Sequence, residues 1–535
     1  MNIRIISSML AAMMLFASCT KKLDRVPEQA FTNEVLFKTE AGYRSALAKI
    51  YGGLALTGNS ANGGAGSPDI TSITDEGFSS YLRIYWYMQE LPTDEAVIGW
   101  DDKTIKSFHN MSWNSADEFI GGMYSRLFFQ ITLANNFIQE AADDKLSSRG
   151  ISGADADKVK AYRAEARFLR ALSYWHALDL YANPILVTDK NPIGAFTPEQ
   201  SNRVALFNYV EGECKELESL LPAPKTNEYA RADRAALWML MANLYLNAEV
   251  YTGTARWADA ASYSKKVIDA GYTLNSHYGY NFLADNHTSP EIIFPVAFDG
   301  DKTRSYGGTN FLIHAPVGGK MKVADFGIDF GWGGLRTTSA FVNKFPDTTG
   351  TGAGDYDRRM MFFVDSQKVV ISDIGSFYDG YAIQKWKNIT SAGAPGKNAT
   401  FVDTDFPMFR LSEAYLIYAE AMLKVSPLNN SVALEYVNKV RRRGYGFDPE
   451  TPNIKSDFTT IDFNKILDER ARELYWEGKR RQDLIRYGLF TTSTYLWPWK
   501  GGAPSGKSVE SFRNIYPIPA PELNANPALK QNTGY

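Results

Sequence analysis

The sequence runs to 535 residues, 44% hydrophobic and 22% charged, with a formal net charge of −3. That length allows two or three ordinary domains or one large helical body with insertions, and the near-neutral balance excludes a chain built around nucleic-acid binding. The aromatic share is high, 13% with 30 Tyr and 11 Trp, and a core absorbs only part of so many rings.

The chain opens MNIRIISSMLAAMMLFASCTKKLD. Arg4 supplies a short positive region, and Ile5 to Phe16 form an apolar run too short to persist as a bilayer-spanning helix. Ala17, Ser18 and Cys19 follow in the manner of a bacterial lipobox, with Phe16 where leucine is more usual. Residues 1–18 therefore read as a lipoprotein signal peptide. Cys19 becomes the lipidated first residue of a mature chain over 19–535, tethered to a membrane by its acyl chains. A plain secretory signal with an incidental cysteine is the competing reading. The only other cysteine is Cys214, so a lipidated Cys19 leaves no intrachain disulfide, and Cys214 reads as a small buried apolar residue. No later hydrophobic run approaches spanning length.

Residues 52–115 have a loop texture, with GGLALTGNSANGGAGSPD, ITDEG and LPTDEAVIGWDD. The carboxylates Asp75, Glu76, Asp94 and Glu95 raise the possibility of a surface glycoside hydrolase, which needs two carboxyl groups at a set separation. The plainer readings are turn and cap residues, or acceptors for the hydroxyls of a ligand.

Helical periodicity follows. Helices are expected near 120–140 and 205–221, and AYRAEARFLRALSYWHALDLYANP carries Ala166, Leu169, Leu172, Tyr174 and Leu178 on apolar faces until Asn183-Pro184 stops it. His176, beside Trp175, reads as a packing residue. RADRAALWMLMANLYLNAEVY and ARWADAASYSKKVIDAGY form a helix hairpin, with Ala242, Ala258 and Ala261 allowing close crossing and Gly271 ending it. That is the pattern of a tetratricopeptide-type unit.

Between Gly271 and Phe409 glycine, polar residues and aromatics dominate, with short β-like runs EIIFPVAF and YAIQKW. A structureless loop of this length is improbable. Residues 272–408 read as a loop-rich binding region mounted on the helices. Within it, GIDFGWGGLRTT sets Trp332 among Gly331, Gly333 and Gly334, as either a plug in the fold or a platform for a ligand. Trp86, Trp100, Tyr306, Phe311 and Trp332 all fall outside the helical packing pattern. Flat rings match the CH face of a pyranose, and Asp, Asn, Arg and Lys match its hydroxyl rim. At about 1 kcal/mol per contact, three rings along an arc would hold an oligosaccharide in roughly the millimolar to micromolar range.

A second hairpin, FRLSEAYLIYAEAMLK and NSVALEYVNKVRRRGY, is followed by one long amphipathic helix, FNKILDERARELYWEGKRRQDLIRYG, ended by Gly488. The basic clusters Arg441–Arg443 and Lys479–Arg486 lie among Glu469, Glu473, Glu477 and Asp483 and read as a salt-bridged face. The closing YPIPAPELNANPALKQNTGY reads as an extended segment laid over the surface. The five histidines, at 109, 176, 277, 287 and 314, show no metal-ligand spacing. There is no P-loop, CxxC or GxSxG, and no cofactor or metal is expected.

LDERARELYWEGKRRQDLIRYG, the lipobox, FLRALSYWHALDLY, RADRAALWMLMANLYLNAEVYTG and FRLSEAYLIYAEA together resemble the RagB/SusD family over about residues 19–535. ELPTDE, DKTRSYGGTNFL, GLFTTSTYLWPWKGG and the closing segment are similar to its starch-binding branch. The resemblance implies a mostly α, tetratricopeptide-like helical scaffold with a loop-rich ligand-binding subdomain. It also implies a lipid-anchored, non-catalytic protein on the cell surface at the outer membrane. Such a protein passes α-glucan oligosaccharides to a SusC-like TonB-dependent transporter. Carried over residue by residue, the aromatic arc falls on Trp100, Tyr306 and Trp332, and a hydrogen-bonding arginine falls on Arg83. Lys103 stands where the family has asparagine, Ile98 where it has a second tryptophan, and Asp75 joins the ligand-binding set. A protein-binding solenoid adaptor, or a receptor for a peptide or another glycan, is the remaining alternative.

Overall fold

A computed structural model describes residues 33–59, 68–71, 73, 75, 77, 79–192, 196–345, 356–426 and 430–535. The signal peptide and Cys19 lie outside the described residues. The longer helices of the first half are α1 (Glu40–Gly52), α2 (Tyr81–Glu90), α3 (Glu118–Glu140), α4 (Gly153–Tyr181), α5 (Arg203–Leu217), α6 (Arg234–Leu246) and α7 (Trp257–Ile268). Those of the second half are α8 (Gly308–His314), α9 (Leu411–Val425), α10 (Asn430–Tyr445), α11 (Phe463–Leu474) and α12 (Arg480–Arg486). Among the described residues strands are few and short, and the architecture is mostly helical.

Helix α4 is the spine. Every residue from Phe168 to Tyr181 is buried, the polar Arg170, Ser173, His176 and Asp179 included, and the helix packs against α1, α3 and α5. His176 is sealed within it, in a hydrogen bond with Tyr81 at 2.7 Å and stacked on Tyr85. Helices α6 and α7 form the expected hairpin, α7 packs on α9, and α9 on α10. Small side chains permit these close crossings: Ala242 and Ala261 are buried as the pattern required. Ala258 instead faces water, and Ala260 takes the buried position. Asp117 starts α3 by accepting from the amides of Phe119 and Ile120, and Asp233 does the same for α6 with Ala235 and Ala236, which satisfies orphan donors of the first turn. Cys214 is buried, as its helical pattern implied, and burial pushes its thiol up.

The long helix expected from Phe463 to Gly488 is two helices. The chain breaks at Tyr475–Lys479, with φ +62° at Trp476 and +77° at Gly478. Tertiary contacts override the helical periodicity here. The Trp476 ring is fully buried, its Nε1 donates to the Glu95 carbonyl at 3.0 Å, and Glu90 accepts the amide of Gly478 at 2.6 Å. The closing segment is also more deeply seated than its proline content suggested. Tyr516 and Ile518 are buried, and Ala520–Ala525 is helical.

The strands tie distant segments together. They are β1 (Val97–Ile98), β2 (Ile292–Val296), β3 (Leu335–Arg336), β4 (Phe362–Phe363), β5 (Ala382–Ile383) and β6 (Phe406–Arg410), in three antiparallel pairs β1–β3, β2–β6 and β4–β5. Pairing of Ile292 with Arg410 and Val296 with Phe406 closes the base of the loop-rich excursion where it leaves and rejoins the helices. Under that base lie the basic clusters, paired with the acidic neighbours the sequence offered but buried rather than on a surface. Arg443 and Arg410 bind Glu291 and Glu473, Arg441 and Arg359 bind Glu469, and Arg486 binds Asp483.

Candidate functional site

The β1–β3 pair, with Val97 opposite Arg336 and Ile98 opposite Leu335, continues through Gly99 N–H to the Gly334 carbonyl at 3.0 Å. It therefore brings the loop bearing Trp100 against the glycine loop bearing Trp332. The Trp100 Nε1 donates to the Trp332 carbonyl at 3.3 Å. The glycine loop in turn covers the carbonyl end of α8. The amide of Trp332 donates to His314, those of Gly334 and Leu335 to Ala315, and that of Gly333 to Val317. These bonds satisfy carbonyls that a helix end leaves open. Such approach needs residues without side chains. A Cβ on Gly331 would stand 2.2 Å from the Val317 oxygen, and one on Gly334 would stand 2.2 Å from Cε2 of Trp100.

Trp332 is the hub of the aromatic cluster. Its ring stacks on buried His314 at 5.0 Å and 25°. Burial pushes that imidazole below its usual pKa, so a neutral ring backs the indole. Four other rings surround Trp332 at similar distance and tilt: Trp100 at 6.2 Å and 46°, Tyr306 at 6.4 Å and 53°, Phe330 at 6.5 Å and 44°, and buried Phe311 at 6.5 Å and 46°. Trp100 and Trp332 are half-buried, Tyr306 and Phe330 exposed. Together with Asp75, Gly77, Arg83 and Asp102 they line an open depression of ≈550 Å³, a volume in the range of small-ligand sites.

Arg83 forms part of the floor of this depression. It lies in the first turn of α2 and is only 6% exposed. Its Nε donates to the Tyr87 hydroxyl at 2.6 Å and its Nη1 to the Tyr306 carbonyl at 3.1 Å. Its guanidinium carbon lies 4.7 Å from the Phe311 ring centroid, 5.8 Å from that of Trp332 and 5.9 Å from that of Trp100, within cation–π range. The polar rim is acidic. Asp75 is exposed, its Oδ1 accepting the Gly77 amide at 2.9 Å, and Asp102 lies beside Trp100.

The structure thus brings together Trp100, Tyr306, Trp332, Arg83 and Asp75. Lys103 does not line this depression. Its backbone turns to φ +47° and its Nζ pairs with Glu118, beside a neighbouring cavity. Ile98 is buried in β1. Trp86 and Phe311, grouped in the sequence with the loop aromatics, lie on helices and are fully buried. They pack edge to face at 5.4 Å under the site and offer no ligand surface. Asp102 and Phe330 line the depression without having been singled out. Asp102 carried a signal, as the first acidic residue but one after Trp100 in GWDD. Phe330 carried the same one as Trp332, an aromatic in a glycine- and aspartate-rich loop.

The hydrolase reading loses two of its four carboxylates here. Asp94 is buried in a two-pronged pair with Arg480 at 2.7 and 2.8 Å, and Glu95 is buried against the amide of Trp476. Neither reaches solvent. Asp75 alone of the four is placed at the depression, Glu76 lying outside the described residues. Among the described residues no group of three or more His, Cys, Asp or Glu is arranged to hold a metal ion, and no helix is long and apolar enough to cross a membrane.

Comparison with known proteins adds an independent line. A model of the SusD family matches residues 362–535. The chain is 35% identical over 538 aligned positions to the starch-binding protein SusD of Bacteroides thetaiotaomicron, spanning 92% of each chain. Among solved structures it is similar to a SusD homolog from Bacteroides thetaiotaomicron, with TM-score 0.69 and 18% identity over 94% of this chain and 99% of that one. It is also similar to surface glycan-binding protein A from Bacteroides uniformis, with TM-score 0.68 and 19% identity over 92% and 99%. At such identities the two structures speak to the fold alone.

Proposed function

The chain belongs to the SusD family, and from that premise we propose that it is a non-catalytic cell-surface receptor for starch-like α-glucan oligosaccharides. In this reading Cys19 carries the lipid anchor at the outer membrane, and the captured glucan passes to a SusC-like TonB-dependent transporter. Trp100, Tyr306 and Trp332 bind the sugar faces, while Arg83 and Asp75 meet the hydroxyl rim.

One observation carries the choice of ligand: the rings of Trp100 and Tyr306 stand at 46° and 53° to that of Trp332 around an open depression, so the three do not form one flat surface. A flat sugar ribbon would lie on one such ring and miss the others. A chain that curls, as α-1,4-linked glucose does, follows the curvature and contacts several at once. The 35% identity to a protein named for starch binding supports the same ligand. Each ring contributes about 0.5–1.5 kcal/mol, so the affinity is modest, which suits capture followed by release.

Electrophoresis of the mature protein through a gel containing amylopectin tests this. Retardation is expected, and Trp332→Ala or Trp100→Ala should clearly reduce it while leaving the melting temperature nearly unchanged. A large loss of stability in those variants would assign the indoles to packing. Free migration of the wild type, with retardation by another polysaccharide, would move the protein to a different glycan.

A further inference from the structure

The most exposed ring of the depression has no part in the reading above. Phe330 leaves 51% of its surface in water, against 37% for Tyr306. Its backbone is nevertheless firmly held. Its amide donates to Asp329 Oδ1 at 2.9 Å and its carbonyl accepts from His314 Nδ1 at 2.7 Å. Asp329 is tied in turn to the strip at 399–400, its amide donating to the Ala399 carbonyl at 3.1 Å and its carboxylate accepting from Thr400 Oγ1 at 2.5 Å. The same His314 that stacks behind Trp332 meets Phe330 edge-on at 5.7 Å and 62°. One buried imidazole therefore sets the relative pose of the two rings.

The half-exposed phenyl ring does not fill the core, and it extends the aromatic surface of Trp332, Trp100 and Tyr306 along the same depression. A contiguous apolar patch of this kind beside a cavity is a mark of ligand contact. Phe330 carries no hydrogen-bonding group, so it discriminates by reach rather than by hydroxyl pattern. Resting on the α-glucan reading, we propose that Phe330 is a fourth sugar platform at the outer edge of the site, engaging glucose units beyond those held by Trp100, Tyr306 and Trp332 and so setting a preference for longer chains.

Calorimetric titration of the wild type, Phe330→Ala and Phe330→Trp with maltotriose and maltoheptaose tests this, with melting curves to confirm folding. Phe330→Ala is expected to weaken maltoheptaose binding about 2- to 10-fold, the worth of one ring contact, and to leave maltotriose binding unaltered. Phe330→Trp should retain the preference for the longer sugar. Unchanged maltoheptaose binding in Phe330→Ala would overturn the proposal, as would equal weakening of both sugars, which would mark a general support of the loop. A wild type that binds neither sugar would instead overturn the α-glucan reading on which this rests, before any variant is compared.

Discussion

The glycines around Trp332 answer to contact rather than to flexibility. Gly334 lies face to face with the Trp100 indole, and any Cβ there would overlap it. Gly334→Ala is therefore expected to displace Trp100 while leaving Trp332 on its His314 backing. Overpacking of this kind costs about 1–3 kcal/mol, and loss of one ring contact weakens maltoheptaose about 2- to 10-fold. Intrinsic fluorescence should change with it. Unaltered affinity would show that Trp100 adds nothing to binding. Residues of this kind were partly legible in the sequence. Trp100, Tyr306 and Trp332 stand in glycine- and aspartate-rich runs, and those runs are the loops that meet. Trp86 and Phe311 were not distinguishable from them by composition. Their place on α2 and α8 decides their burial, and two short helices without long periodic flanks leave little trace in a sequence. Lys103 was legible only as a substitution in a family pattern, and its pairing with Glu118 depends on a backbone turn that no local signal fixes.

At the level of elements, the break between α11 and α12 was invisible because both sides keep one amphipathic register through Trp476 and Gly478. What breaks it lies far away in the chain, in Glu90, Glu95 and Tyr85. The buried ion cluster at the base of the β2–β6 pair is of the same kind: its charges were legible as partners, its burial was not. Burial pushes the Glu469 carboxyl up, but the guanidinium groups of Arg359, Arg472 and Arg441 outweigh this and hold it down to about 2. A carboxyl depressed in the folded state gives stability that is present above its ordinary pKa and is lost as pH falls through about 2. Glu469→Gln should therefore cost most at neutral pH and progressively less on acidification. Removing one partner of a buried ion pair typically costs about 3–5 kcal/mol, and denaturant unfolding at neutral pH should read a loss of that order. A cost that stays constant from neutral to strongly acid pH would show that the carboxylate charge is not what the arginines stabilise.

Across the whole molecule, helical pairing was the most legible feature, because small residues and 3.6-residue periodicity repeat through α4, α6, α7, α9 and α10. The site was legible as composition but not as assembly. It needs β1–β3 to join residues 97–100 to 334–336, the end of α8 to seat the glycine loop, and α2 to place Arg83 under both. Its contacts thus come from segments spread over nearly half the chain, anchored on the helical body, and a ligand there should report on unfolding of the body and not only of the loops. A ligand at about one hundred times its dissociation constant stabilises the native state by about 2.7 kcal/mol. Unfolding entropy of about 2.1 cal/mol/K per residue gives about 1 kcal/mol/K for a chain of this length, so the expected rise in melting temperature is about 2–3 °C. Scanning calorimetry with maltoheptaose at that concentration should show that shift in the wild type and a smaller one in Trp332→Ala. An equal shift in the variant would place the sugar elsewhere on the protein, and the aromatic cradle would lose its role.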